Sequence, residues 1–127
     1  MKTVVRFRAG DGQYAVPVER VREVRAGDTL MPLPGPRDGV IGLLSVGHDA
    51  LAVVDAFGSG GNHVLLLDRP SGPFGLCVEE VIGVQTVEEI GPAPEGQDND
   101  LIEGVLQCDD GITLLVSVEK LGERLDS

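Results

Sequence analysis

Apolar and polar residues alternate along most of this chain in short runs cut by glycine and proline. Val40–Phe57 is the most apolar, β-branched stretch of the first half, and Gly47-His48-Asp49 breaks it into two strand-length arms. The pattern predicts a hairpin whose arms are mostly buried. Upstream, Val5 and Phe7 alternate with Arg6 and Arg8. Asp11-Gly12 supplies a turn pair, and Tyr14, Val16 and Val18 line one face of a returning strand. Val18, Val21 and Val24 recur every third residue, which predicts one helical turn after the second strand. Leu30–Asp38 carries Pro32, Pro34 and Pro36 and is expected to be an ordered loop, neither helix nor central strand. Downstream, Val64–Asp68, Phe74–Val78 and Val81–Val87 read as strands, followed by a loop over Gly91–Asn99. Leu101–Cys108 and Ile112–Val118 form a hairpin across Asp109-Asp110-Gly111. Leu121 and Leu125, at helical spacing, predict a short amphipathic helix at the end.

The second half of this pattern lies over the first. At an offset of 60, Val18-Glu19-Arg20-Val21-Arg22-Glu23-Val24 falls on Val78-Glu79-Glu80-Val81-Ile82-Gly83-Val84, keeping the spacing V-E-x-V-x-x-V. Gly12 falls on Gly72, and Pro32 and Pro34 fall on Pro92 and Pro94. The offset then becomes 62, with Val40 on Ile102, Gly42 on Gly104 and Val54 on Val116. One antiparallel β unit of about five strands therefore occurs twice, in approximate halves 1–58 and 63–127 joined by a connector at 59–62. Five short strands without a long helix close into a small barrel. Barrels of this size do not bury enough alone, so the two are expected to share a core.

Composition agrees. The 127 residues suit one domain, and 42% are hydrophobic, but only 3% are aromatic and none is Trp. A core of Val, Leu and Ile favours sheet. Eighteen glycines mark many turns. The net charge of −11 argues against nucleic acid and against an anionic membrane surface as partners. The chain shows no signal peptide and no run long enough to insert in a membrane, so a cytoplasmic location is the default. Cys77 and Cys108 sit in apolar strand patterns, as buried thiols do in a reducing compartment.

Candidate chemistry is thin. His48, His63, Cys77 and Cys108 stand 14 or more residues apart, without the close pairs of a metal site. Gly58-Ser59-Gly60-Gly61-Asn62 has no lysine to make a phosphate loop. Glu79-Glu80, Glu88-Glu89 and Asp109-Asp110 are neighbours whose side chains point to opposite faces of a strand. No catalytic residue, cofactor or metal is expected. Leu30-Met31-Pro32-Leu33-Pro34 reads either as a docking loop or, in the favoured reading, as a lid on a barrel end, and free strand edges offer a route to protein partners.

Taken in order, the elements resemble the CheW-like domain of bacterial chemosensory systems. The resemblance is carried by Gln13–Val18, Val21-Arg22-Glu23-Val24, Pro32-Leu33-Pro34-Gly35 and Gly42, and then by Val53-Val54-Asp55, Phe74-Gly75-Leu76, Ile90–Pro94, Gly104 and Leu114–Leu121. It implies two intertwined five-stranded SH3-like β-barrels with a shared core, in a single domain over 1–127. It also implies a non-enzymatic adaptor. One barrel would contact the regulatory domain of a CheA-type histidine kinase. The cytoplasmic helix tip of a chemoreceptor would lie in the groove between the halves. By the same resemblance Val21, Glu23, Gly42, Gly47 and His48 fall at the receptor groove, while Asp55, Gly75 and Gly104 are structural. The chain departs from the family at one turn. Where relatives have Asn-Leu-Arg-Gly, it has Ser45-Val46-Gly47-His48, so the arginine that pairs with the equivalent of Glu23 is replaced by Gly47. Arg22, Arg25 and His48 are the candidate substitutes. The alternative reading is a divergent module that binds kinase or itself without coupling a receptor. A small hydrolase or ligand-binding barrel is the third.

Overall fold

The computed structural model describes residues 1–27, 30–37 (of 34–37 the backbone alone), 39–58, 63–93, 101–123 and 125. The chain is all-β apart from one 3-10 turn and a short helix. The strands are β1 (Lys2–Ala9), β2 (Gly12–Pro17), β3 (Val21–Ala26), β4 (Leu30–Arg37), β5 (Val40–Val46), β6 (Asp49–Val54), β7 (His63–Leu67), β8 (Phe74–Val78), β9 (Glu80–Val87), β10 (Ile102–Cys108) and β11 (Gly111–Val116). The 3-10 turn, Val18–Arg20, follows β2, and the helix α1 spans Val118–Glu123. Two expectations change. Val21 and Val24 lie on a strand rather than in the helical turn, and a bulge between Val21 and Glu23 keeps both valines on one face, opposite Leu67 and Leu65. The proline-rich segment is an edge strand and not a loop: β4 is the last strand of its sheet, with its pairing to β5 interrupted between Pro32 and Arg37. An outer strand tolerates proline because one side of it owes no hydrogen bonds to the ladder. The connector at 59–62, Pro94 and the rest of the expected loop through Asn99 lie outside the described residues.

The repeat is exact in register. Val4 faces Pro17 and Phe7 faces Tyr14 in the β1–β2 hairpin; Val64 faces Cys77 and Leu67 faces Phe74 in β7–β8, 60 residues on. Val40 faces Val54, a bulge follows, and Gly42 faces Val53; Ile102 faces Val116, a bulge follows, and Gly104 faces Leu115, 62 residues on.

The sheets do not follow the halves. The first has the order β10-β11-β2-β1-β9 and the second β3-β7-β8-β6-β5-β4. The expected boundary between 1–58 and 63–127 therefore marks the repeat, while each sheet takes strands from both sides of it. The exchange is reciprocal: β9 pairs with β1, Val84 facing Val5, and β3 pairs with β7, Val24 facing Leu65. Parallel contacts of β11 with β2 and of β6 with β8 complete the order. Each sheet also turns back toward its other edge. The chain leaves one edge of the second sheet at Ala26 and enters the opposite edge at Leu30. In the first, Gly91 beyond β9 bridges to Val105 of β10. These are the curled sheets of two SH3-like barrels.

Burial divides into three clusters. Val4, Ala15, Val87, Leu106, Cys108 and Leu115 fill the first barrel. Leu44, Leu51, Val53, Val64, Leu66 and Cys77 fill the second. The largest cluster lies between them and draws Val5, Phe7 and Val16 from one sheet and Leu65, Leu67 and Phe74 from the other. Strand alternation explains the division, because successive residues of β1 and β7 face the barrel interior and the partner barrel in turn. Val118 and Leu121 of α1 seal the shared cluster. Tyr14 stacks on Phe57 with ring centres 4.1 Å apart, and Phe7 packs on Tyr14 at 5.8 Å.

Candidate functional site

The residues matched to a receptor groove divide between β3 and the β5–β6 hairpin, both in the second sheet. On β3, Val21 faces Leu67 and packs against the shared core. Glu23 and Arg25 are two residues apart on one strand and so share a face. The Arg25 guanidinium grips the Glu23 carboxylate at two points: Nε lies 3.2 Å from Oε2, and a terminal nitrogen donates to Oε1 at 3.2 Å. This forked geometry fixes the carboxylate better than a single contact does. Arg22 is committed elsewhere, 2.8 Å from Asp68. Of Arg22 and Arg25, it is Arg25 that contacts Glu23.

On the hairpin, Gly47 and His48 are exposed at the turn, and Gly47 has φ +61°, the left-handed region that favours glycine. Gly42 is buried: a Cβ there would stand 2.5 Å from the carbonyl oxygen of Met31. Gly42 therefore lets β4 approach β5. Gly104, its counterpart, gives the same room to Ile90 and Gly91. Gly75 lies inside the second barrel, where a Cβ would press on Val64 and Val53. Asp55 receives the closing bond of its hairpin, its backbone N–H donating to the Gly39 carbonyl at 2.9 Å.

Two valines of the repeat, not assigned to a site by the sequence, are exposed. Val24 on β3 is 44% exposed, and Val84 on β9 is 66% exposed. They are the last valines of the two V-E-x-V-x-x-V copies. Directly opposed residues in an antiparallel pair share a face. Val24 opposes Leu65 and Val84 opposes Val5, both members of the shared core. The apolar seam between the barrels thus reaches the surface at two related strands.

No three His, Cys, Asp or Glu side chains among the described residues are grouped to hold a metal. Burial pushes the Cys77 thiol up to about 12, with the Asp55 charge adding to it, so the thiol stays protonated and unreactive. An open cleft of about 300 Å³ is lined by Gln85, Thr86, Val87, Glu88, Glu89 and Gln107. No described helix is long and apolar enough to cross a membrane.

Comparison with known proteins agrees with this geometry. The chain is 25% identical over 134 residues to the chemotaxis protein CheW of Rhizobium meliloti, spanning 94% of this chain and 86% of that protein. It is 24% identical over 140 residues to a probable chemotaxis protein CheW of Rhizobium etli, spanning 99% and 90%. The fold superposes on the crystal structure of the scaffolding protein TtCheW from Thermoanaerobacter tengcongensis with a TM-score of 0.81 and 21% identity, covering 92% of this chain and 84% of that one. The sequence model of the CheW-like domain matches residues 3–126, and the chain belongs to that family.

Proposed function

We propose that the chain is a chemosensory adaptor that joins a CheA-type histidine kinase to a chemoreceptor. Its relatives are chemotaxis proteins, and its structural counterpart is a scaffold. In this reading one barrel docks the kinase's regulatory domain. The helical receptor tip lays its apolar face along the seam between the barrels. Val21, Glu23 and the Gly47-His48 turn flank that seam, with Arg25 standing in for the family arginine. The protein carries out no reaction and works in the cytoplasm. The observation that carries the reading is the surfacing of the shared core at Val24 and Val84, one exposed valine on each sheet.

Binding of the intact chain to a receptor-tip fragment and to the kinase regulatory domain tests it. Val84→Asp and Arg25→Ala are each expected to weaken receptor binding about tenfold or more, about 1.4 kcal/mol, and to leave kinase binding unchanged. Receptor binding unaffected by both variants overturns the groove assignment. The altered turn at Gly47-His48 favours one other reading, a module that binds kinase without a receptor. Kinase binding by the wild-type chain with no receptor binding selects it.

A further inference from the structure

Neither half closes a barrel alone, because β1 and β2 are completed by β9, β10 and β11, and β7 and β8 by β3 to β6. Among the described residues, four ion pairs between halves share one polarity. Arg6 meets Asp110, Arg8 meets Glu80, Arg20 meets Glu119 and Arg22 meets Asp68. In all four the first half supplies the cation and the second half the carboxylate. The sequence divides the same way. Residues 1–58 carry seven basic and seven acidic side chains; residues 63–127 carry three and fourteen, so the whole charge of −11 belongs to the second half. Two second halves repel, whereas unlike halves attract and bury the shared apolar cluster between them.

We infer that a second copy of this chain is a competent partner through exchange of halves. The first half of each copy pairs with the second half of the other in a closed two-fold dimer. All strand pairings of the single chain are kept, since each depends on which halves meet and not on whether one chain supplies both. Because each copy holds one half of each kind, two chains are the smallest assembly in which every half meets an unlike partner, and two-fold symmetry closes it. A short connection gives the intramolecular partner an effective concentration on the order of 1 mM, so the single chain prevails in dilute refolding and the exchanged dimer forms in concentrated refolding.

Two full-length chains test this. One carries Arg8→Glu and Arg22→Glu; the other carries Asp68→Arg and Glu80→Arg. The exchanged positions are half-exposed, so the core is untouched. Within either chain these contacts repel, but between the two chains all of them are complementary. The chains are refolded together from denaturant and weighed by native mass spectrometry. The expected result is a mixed dimer exceeding either homodimer about tenfold, with the wild-type circular dichroism spectrum. Monomers alone, aggregate, or dimers of statistical composition overturn the inference.

Discussion

Gly42 and Gly104 occupy equivalent places, yet their surroundings predict unequal costs. A Cβ at Gly42 meets a backbone carbonyl oxygen at 2.5 Å, and β4 must move to admit it. At Gly104 the nearest atom is a methyl of the part-exposed Ile90, which has rotamers to spare, with the Gly91 carbonyl next at 3.0 Å. Overpacking of this kind costs roughly 1–3 kcal/mol. Gly42→Ala is expected at the upper end and Gly104→Ala at the lower, read as shifts in the urea midpoint at constant slope. Arg6 sets a second residue-scale expectation. It is 7% exposed inside the first barrel and donates to Gln13 Oε1 and Asp110 Oδ1 at 2.7 Å and to Gln85 Oε1 at 3.1 Å. The hydrogen bond from Arg6 holds the Asp110 carboxyl below the usual carboxylate range. A carboxyl lowered by folding adds stability above its unfolded value, about 3.9, and loses it as pH falls through the folded value. Asp110→Asn should therefore melt below wild type at neutral pH, and the two melting curves should converge on acidification below pH of about 4. A constant gap across that range would remove Asp110 ionisation from the account.

Local periodicity carried most of the elements. The hairpin around Gly47-His48, the β7–β8 and β10–β11 pairs and the terminal helix lie where alternation and turn residues put them. The repeat was legible because the two copies keep their bulges and glycines as well as their valines, and those are backbone requirements. What stayed hidden was which copy supplies which strand. β3 would show the same alternation beside β1 as it does beside β7, since a strand pattern specifies a buried face and not the neighbour along the ladder. β4 was obscured by its prolines, which exclude a central strand but not an outer one. Val24 and Val84 were obscured because a spacing of three reads as helix, whereas here a bulge in each strand keeps the valines three apart on one face. Arg25 could be placed only as one of three substitutes. Its strand position, two residues from Glu23, is what brings it into contact with that carboxylate.

At the scale of the molecule, the interlocked sheets make a claim about cooperativity. In two independent barrels, damage inside one would leave the other standing. Here β1 and β2 cannot keep their neighbours unless the second half is folded, and β7 and β8 depend on the first half in the same way. The largest buried cluster belongs to both sheets at once. Opening either barrel therefore exposes the surface that holds the other, and one cooperative transition follows. Leu106 is fully buried in the first barrel's own cluster and lies outside the shared one. Leu106→Ala should cost about 2–5 kcal/mol, a large share of the roughly 5–15 kcal/mol that holds a domain together. Native-state hydrogen exchange reads where that loss falls. The slowest amides of β7 and β8 in the second sheet should accelerate by the same factor as those of β1 and β2 in the first. Acceleration confined to the first sheet would mean that the barrels open separately, and that the exchange of strands joins them in space without joining them in free energy.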